Sequence, residues 1–325
     1  MEDKQKAFSI PQTTIDWLLD SQTPSIRYFT YIDVLNLPHD DARVIAARTE
    51  IAGSDYVKAI IAEQDADGFW YSRKHYYGPK YRSSHWAMLL LSELGAAPDM
   101  DALQKGADFM LRRMAQSKNT YYSIDSYQDS TQSGFCCYWG NWLRYQLYAG
   151  NYDHPLVQRV IEIVSKDLIQ HGRCEYNSHL PCAWGVIRSL FGLALIPEEE
   201  RTVAIHDAIN EGSAFILNQF ELTQANYPNP GKVHPLWFKL NFPLFYQADI
   251  LFTLRVLAEF GGLGKTNAKN ALSWLESKRK NDGTWRGSSP YKSRTHPFVS
   301  GTDGPERWVT LQALTVLKKA NQSAQ

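Results

Sequence analysis

The sequence is short of cysteine, has no surplus of either charge and contains no long apolar run. Four cysteines in 325 residues are too few for a disulfide scaffold, so a reduced, cytoplasmic chain is expected. The 34 basic side chains are matched by 34 acidic ones, which removes the electrostatic reason to expect nucleic acid or an anionic membrane as partner. The longest apolar stretches, such as Trp86 to Leu91, fall far short of the roughly 20 residues that a spanning helix needs, so no integral membrane span is expected. The opening MEDKQKAFSI lacks the apolar core of a signal peptide. None of these features fixes an oligomeric state.

Aromatic residues are plentiful: 10 Trp, 18 Tyr and 14 Phe make up 13% of the chain. That content suits an aromatic-lined cavity, and it suits an aromatic core equally well. Apolar residues at 44% are enough to fill one large core.

Helical patterns run along nearly the whole length and fall into six pairs. In each pair an amphipathic segment with a charged face precedes one that is apolar on most sides. The amphipathic members are near 12–20, 41–64, 101–116, 154–171, 200–220 and 265–280; their apolar partners are near 24–36, 82–95, 133–149, 179–196, 240–261 and 304–320. A helix apolar all round must be covered all round, whereas an amphipathic one can face water. The alternation therefore predicts an all-α protein with inner and outer helices. Six such pairs are the number that closes an (α/α)6 toroid, here a single domain over 1–325, although a flat helical solenoid has the same local pattern. Gly95, Gly150 and Gly261 follow apolar segments as stops, and Asp40 and Asp153 stand where outer helices begin.

Two loops repeat. Gln64-Asp65-Ala66-Asp67-Gly68-Phe69-Trp70 and Arg279-Lys280-Asn281-Asp282-Gly283-Thr284-Trp285 both place a polar residue four before a glycine and a tryptophan two after it. The glycine allows a tight reversal, and the polar residue can hold backbone groups at the helix end. A degenerate copy runs from Gln170 to Cys174. At these residues the chain resembles the squalene cyclase and protein prenyltransferase superfamily, whose α/α toroids carry Q-x3-G-x-W repeats. It is more specifically similar to uncharacterised bacterial prenyltransferase or squalene-oxidase repeat proteins, through Lys80-Tyr81-Arg82, Phe242-Pro243-Leu244-Phe245-Tyr246 and Glu306-Arg307-Trp308-Val309-Thr310-Leu311. The resemblance implies a toroid with a central substrate cavity and chemistry on an isoprenoid.

If the inner helices start at one end, their first turns line a common mouth and present the positive ends of their dipoles. Substrate-contacting candidates there are Tyr28, Arg82 and Trp86, then Trp139, Asn141 and Trp184, then Tyr246, Arg307 and Trp308. Tyr81, His85, Asp33 and Asp249 are the candidate catalytic groups. A carboxyl desolvated among apolar neighbours has a raised pKa and can act as a general acid; it can also do no more than brace two helices against an arginine such as Arg27, Arg188 or Arg307. The loops at 73–82 and 286–296 interleave Arg and Lys with Tyr, a pattern able to hold a diphosphate or a carboxylate or to serve as a solvated surface.

All four cysteines lie between 136 and 182. Cys137, Cys174, His179 and Cys182 offer soft ligands for zinc, but without a C-x2-C knuckle the spacing is not diagnostic, and buried cysteines also serve as small core residues. Protein prenyltransferases hold zinc with Asp, Cys and His, a pattern this chain does not reproduce residue by residue. Linalool dehydratase-isomerases are a second likeness, in cavity composition alone, with Cys174, Cys182, His85, Tyr81 and Asp249 as the comparable residue types. The D-x-D-D acid of class II cyclases and the D-D-x-x-D of class I synthases are both absent.

Three functions follow as expectations. The first is an enzyme cyclising, isomerising or dehydrating an apolar, isoprenoid small molecule. The second is a lyase or glycosidase acting on an acidic sugar, and the third a non-catalytic binding module.

Overall fold

The computed structural model describes residues 9–116, 136–170, 172–219, 222, 233–296 and 303–323. The helices follow the paired pattern. The first pair is α1 (Gln12–Leu19) and α2 (Pro24–Phe29), the latter running on as a π-turn over Thr30–Val34. The second is α3 (Ala42–Ile51) with α4 (Asp55–Ile61), followed by α5 (Ser84–Glu93). Next come α6 (Asp101–Gln116) with α7 (Cys136–Tyr148), and α8 (Pro155–Ile169) with α9 (Ala183–Leu193). The fifth pair is α10 (Val203–Ala214) and α11 (Ile250–Ala258); the sixth is α12 (Lys269–Ser277) and α13 (Pro305–Gln322). Among the described residues the protein is all-α apart from a two-residue antiparallel ladder, β1 (Arg173–Cys174) with β2 (Leu180–Pro181), and two isolated bridges, Gln64 with Trp70 and Asn241 with Ser288.

Burial follows the two helix types. On α6, Leu103, Ala107, Met110 and Met114 are buried while Asp101, Lys105 and Arg112 face solvent, the single stripe of a surface helix. Every residue of α9 is buried. Several helix starts carry side-chain caps. Asp41 accepts from the Arg43 amide at 2.9 Å and His154 Nδ1 from the Leu156 amide at 3.1 Å, so each cap lies one residue beyond the expected Asp40 and Asp153. Gly95, Gly150 and Gly261 close their helices at positive φ (73°, 86° and 67°), as expected.

Three boundaries differ from expectation. The second amphipathic segment breaks at Gly53, because Ser54 caps a new helix through the Val57 amide at 3.4 Å. The fourth apolar segment begins at Ala183 rather than 179, with Cys182 Sγ capping the Gly185 amide at 3.3 Å. The fifth begins at Ile250 rather than 240, since Pro243 has no N–H to give a helix and Asp249 caps the helix through the Phe252 amide at 2.8 Å. Positions 133–135 and 171 lie outside the described residues.

The apolar helices touch in succession: α5 with α7, α7 with α9, α9 with α11, α11 with α13, and α13 with α2. The end of α5 meets α2, where a Cβ on Gly95 would lie 3.0 Å from the Phe29 ring. The first and last pairs are pinned together. Thr14 donates to the Asp282 carbonyl (3.1 Å), Arg279 to the Ser9 carbonyl (3.2 Å) and Lys318 to the Val34 carbonyl (2.6 Å). Between α7 and α9 the backbones meet directly. A Cβ on Gly140 would sit 2.2 Å from the Arg188 carbonyl oxygen, and one on Gly192 2.6 Å from that of Gly140. No helix among the described residues is long and apolar enough to cross a membrane.

The two repeat loops have the same construction. Trp70 and Trp285 are fully buried, and each indole N–H donates to the helix behind it: Trp70 to the Ile60 carbonyl at 2.7 Å, Trp285 to that of Leu275 at 2.8 Å. Each tryptophan amide in turn donates to an inner-helix hydroxyl, Ser84 at 2.9 Å and Thr310 at 3.0 Å. Gln64 Nε2 spans to the Gly68 and Ala102 carbonyls, while Arg279 lies over the Trp285 ring at 5.4 Å. The tryptophans thus clamp helix ends.

Replacing Trp70 or Trp285 by Phe removes a buried hydrogen bond, while the Ile60 and Leu275 carbonyls keep the Glu63 and Lys278 amides (3.2 and 3.1 Å), and is expected to lower stability by about 0.5–1.5 kcal/mol in denaturant titrations. Gly68→Ala is expected to cost more than Gly283→Ala. Both glycines have φ above +80°, but the new Cβ meets the Lys105 backbone oxygen at 2.3 Å in the first and only the Thr14 hydroxyl at 2.4 Å in the second.

Candidate functional site

Three loops, at 71–83, 238–249 and 286–296, lead to or lie against the N-terminal ends of the apolar helices and are bonded to them and to one another. The His85 amide donates to the Tyr76 carbonyl (2.9 Å) and the Trp86 indole to that of Tyr77 (2.8 Å). The Thr295 hydroxyl donates to the Tyr81 carbonyl (3.0 Å), and the Phe242 amide to that of Ser288 (2.9 Å). These bonds gather rings from separate stretches of chain. Tyr81 packs on Trp86 (5.6 Å between centroids), Phe245 (4.7 Å) and Tyr291 (4.4 Å), and lies parallel to Tyr246 at 6.3 Å. It does so at φ +76°, a conformation a bulky residue adopts only when its surroundings impose it.

Beneath this layer is His85, fully buried. Its ring stacks on Tyr138 (4.7 Å, 19°) and meets Trp86 edge-on at 4.6 Å. Its Nδ1 lies 3.2 Å from the Tyr145 hydroxyl, while Nε2 has no hydrogen-bond partner among the described residues. Burial, and secondarily the Arg188 charge, push its pKa down to about 3, so the imidazole is neutral. Arg188 is itself fully buried. Its guanidinium bonds the Gln247 carbonyl through Nε (3.1 Å) and Nη2, and it lies 3.9 Å over the Phe252 ring. Burial pulls its pKa down to about 9, so it stays cationic at neutral pH.

The outer edge of the cluster is basic. Lys80 stands 4.7 Å over the Tyr246 ring and Arg294 5.0 Å over that of Tyr81. Trp184 bridges half-buried His234 (4.8 Å) and Tyr246 (6.0 Å). The Tyr81 hydroxyl accepts from Gln247 Nε2 at 3.2 Å, and burial pushes its pKa up to about 12, so it is a phenol rather than a phenolate.

The structure brings together Tyr81, His85, Trp86, Trp184 and Tyr246, with Trp139 reaching them through Tyr138 (5.1 Å) and Asn141 donating to the Phe245 carbonyl (3.0 Å). Other candidates lie apart. Asp249 is buried, but its two oxygens take the Phe252 amide, the Asn241 amide (2.8 Å) and Asn241 Nδ2 (2.9 Å). Burial raises its pKa to about 6 against these bonds, and its position is that of a helix cap. Asp33 lies near Arg255, Glu259, Lys318 and Lys319, which belong to the opposite, C-terminal ends of the helices; burial raises its pKa there. Tyr28 lies by Arg48 (5.8 Å). Arg82 turns outward to Glu63 (2.7 Å), which His296 also approaches (3.3 Å). Arg307 is bound to Asp303 (3.0 Å) and the Trp17 carbonyl, and Trp308 stacks on Phe242 (4.1 Å).

The proposed zinc ligands do not form a metal centre. Cys174 and Cys182 are buried and Cys137 partly so, whereas His179 is exposed at φ +60°. Among the described residues no group of three or more His, Cys, Asp or Glu side chains is arranged to hold a metal ion. Burial pushes the Cys137 thiol up to about 12 and that of Cys182 well above its ordinary value, so without a metal both are protonated.

Arg188, Tyr138, Tyr145 and Gln247 did not stand out as site residues in the sequence. Tyr138, Asn141, Trp142 and Tyr145 recur at i, i+3, i+4 and i+7, which puts them on one face of α7.

No family model and no curated protein matches the chain. A solved structure of a protein from Actinoplanes aligns over 95% of this chain and 98% of its own at 14% identity, with a TM-score of 0.42. Likeness at that level carries no statement about function.

A histidine whose folded pKa lies below its ordinary 6.5 favours folding only while neutral. His85 therefore costs stability as pH falls from about 6.5 towards about 3, with a slope approaching about 1.4 kcal/mol per pH unit. His85→Phe is expected to flatten this acid-side loss in denaturant titrations at stepped pH. In the unsubstituted protein the His85 ring protons are expected to show no NMR titration between neutrality and about pH 4.

Proposed function

We propose that the six helix pairs close into an α/α toroid, and that the protein is an enzyme acting on an isoprenoid substrate by cyclisation, isomerisation or dehydration. The observation that carries this reading is the neutral, buried His85, whose Nε2 has no hydrogen-bond partner among the described residues and whose ring packs against Tyr138, Trp86 and Tyr77. Ring faces stabilise a carbocation through their quadrupoles. A neutral imidazole in a dry setting can take the proton whose loss ends such a reaction. Lys80 and Arg294 at the outer edge suit an anionic head group. Tyr81, held as a phenol, can donate a hydrogen bond to a departing oxygen.

Because His85 is wholly buried, substrate reaches it only when part of its surroundings moves, and we assign that motion to the 71–83 loop, whose Tyr77 packs on the His85 ring. The positive φ at Tyr81 stores strain in that loop, which eases its displacement, and its return excludes water that would quench a cation. A second reading, elimination on an acidic sugar, is favoured by the outer edge itself, where Lys80 and Arg294 could neutralise a uronate beside Tyr246 and half-buried His234.

Purified protein is to be incubated with prenyl diphosphates and terpene alcohols, and separately with uronate oligosaccharides, with products read by mass spectrometry. Hydrocarbon or rearranged alcohol products are expected, and turnover in His85→Gln is expected to drop by about 10²–10⁴-fold with unfolding still cooperative. An unsaturated uronate product would establish the second reading, and no product from either class would defeat both.

A further inference from the structure

Arg188 is a fully buried cation without a counter-charge. No carboxylate among the described residues pairs with it. The acids whose charge reaches it are committed elsewhere, Glu93 to Arg255 (3.6 Å) and Asp249 to Asn241 and the Phe252 amide. Its Nε and Nη2 are both used on the Gln247 carbonyl, and Phe252 covers one face of the guanidinium at 3.9 Å. Nη1 has no hydrogen-bond partner among the described residues. A carbonyl and a ring face supply partial charges only, so a full positive charge stays uncompensated in a dry interior, an arrangement that is costly to keep.

The free edge of Arg188 belongs to the aromatic cluster. His85, Cys137 and Tyr291 all lie within range of its charge. Gln247, whose carbonyl holds the guanidinium, donates its side-chain amide to the Tyr81 hydroxyl at 3.2 Å. The 71–83 loop therefore rests on the residue that holds Arg188, and the displacement that uncovers His85 would uncover Arg188 with it. Asn141 Oδ1 and Gln247 Oε1 are also unpartnered among the described residues. A neutral acceptor, however, needs no more than a donor such as water, whereas a buried cation needs an opposite charge.

From the unspent Nη1 edge of an unpaired, buried guanidinium, we infer that Arg188 is the head-group site for a monocarboxylate whose apolar tail lies among the rings around His85. Charge counting selects the head. A carboxylate brings the single negative charge that is missing and accepts from Nη1. An alcohol leaves the cation uncompensated, and a diphosphate carries surplus negative charge into the interior. The tail rests on the isoprenoid reading; the head does not.

The test is isothermal titration of the full chain with geranate, geraniol and geranyl diphosphate, and with phenylacetate beside phenylethanol as a pair that lacks an isoprenoid tail. In each pair the carboxylate is expected to bind about tenfold more tightly than the alcohol, or better. Arg188→Met is expected to weaken carboxylate binding by about thirtyfold and to leave alcohol binding within about twofold. Should Arg188→Met fail to fold, geranate labelled with 13C at its carboxyl gives the answer in the unsubstituted protein: beside the guanidinium it is expected to stay ionised to a lower pH than the free acid. The inference is overturned by alcohols that bind as tightly as carboxylates, by diphosphate binding more tightly than geranate, or by unchanged carboxylate affinity in Arg188→Met. A bound carboxyl that titrates at or above its free pKa overturns it too, as does the failure of every carboxylate to bind. Binding of phenylacetate without geranate would remove the isoprenoid tail and uphold the carboxylate head.

Discussion

The direct backbone contact of α7 with α9 fixes the centre of the molecule. Gly140 and Gly192 leave no room for a side chain between the two helices, and the close approach sets where everything else on them lies. Arg188, whose carbonyl faces Gly140, is carried inward beyond the reach of water and must spend its guanidinium on the Gln247 carbonyl and the Phe252 ring. Tyr138 and Tyr145, on the same helix as Gly140, are brought against His85. Burial among these rings, and secondarily the Arg188 charge, is why that imidazole stays neutral.

The two ends of the inner helices differ in chemistry because helix termini differ in charge. At the C-terminal ends, Lys318 covers the Val34 carbonyl, Lys319 pairs with Glu259 (2.8 Å), and Arg144 reaches the Phe191 carbonyl (3.2 Å) while covering its ring at 4.0 Å. Cations there meet the negative end of the dipoles. At the N-terminal ends the same dipoles point positive charge inward. The groups found there include aromatic rings, a neutral imidazole and the capping carboxylate Asp249, and the cations among them are held by partners: Arg82 by Glu63, Arg307 by Asp303, Lys80 and Arg294 by tyrosine rings.

Much of this order could be read from the amino acids. The six pairs followed from where apolar residues recur, since a stripe and an all-round apolar surface require different covers. The repeat loops were legible because glycine and tryptophan there each have a single physical task. The 240–249 stretch was not, because Phe242, Leu244 and Phe245 look like the start of an apolar helix, although Pro243 and the Asp before Ile250 are the signals against it. Asp33 was misjudged for a geometric reason. It lies about ten residues into its segment, or about 15 Å along a helix axis from the first turn, at the wrong end for His85. The cysteines were close in sequence, but nothing in their spacing showed that His179 would face outward. Arg188 was visible only as a bracing arginine, because its role arises from the contact of two other helices.

The bonds joining the first pair to the last have a consequence for how the chain reaches its native state. Thr14 with Asp282, Thr23 with Asp303, and Val34 with Lys318 are each separated by more than 260 residues. Such contacts give no return until almost the whole chain is available, and loop closure over that span is entropically expensive. During synthesis the first two helices therefore wait, with an apolar face uncovered, for a partner that emerges last. The middle pairs, joined by neighbours in sequence, can assemble before them, so the seam between beginning and end is the last part to set and the first place where the fold can open.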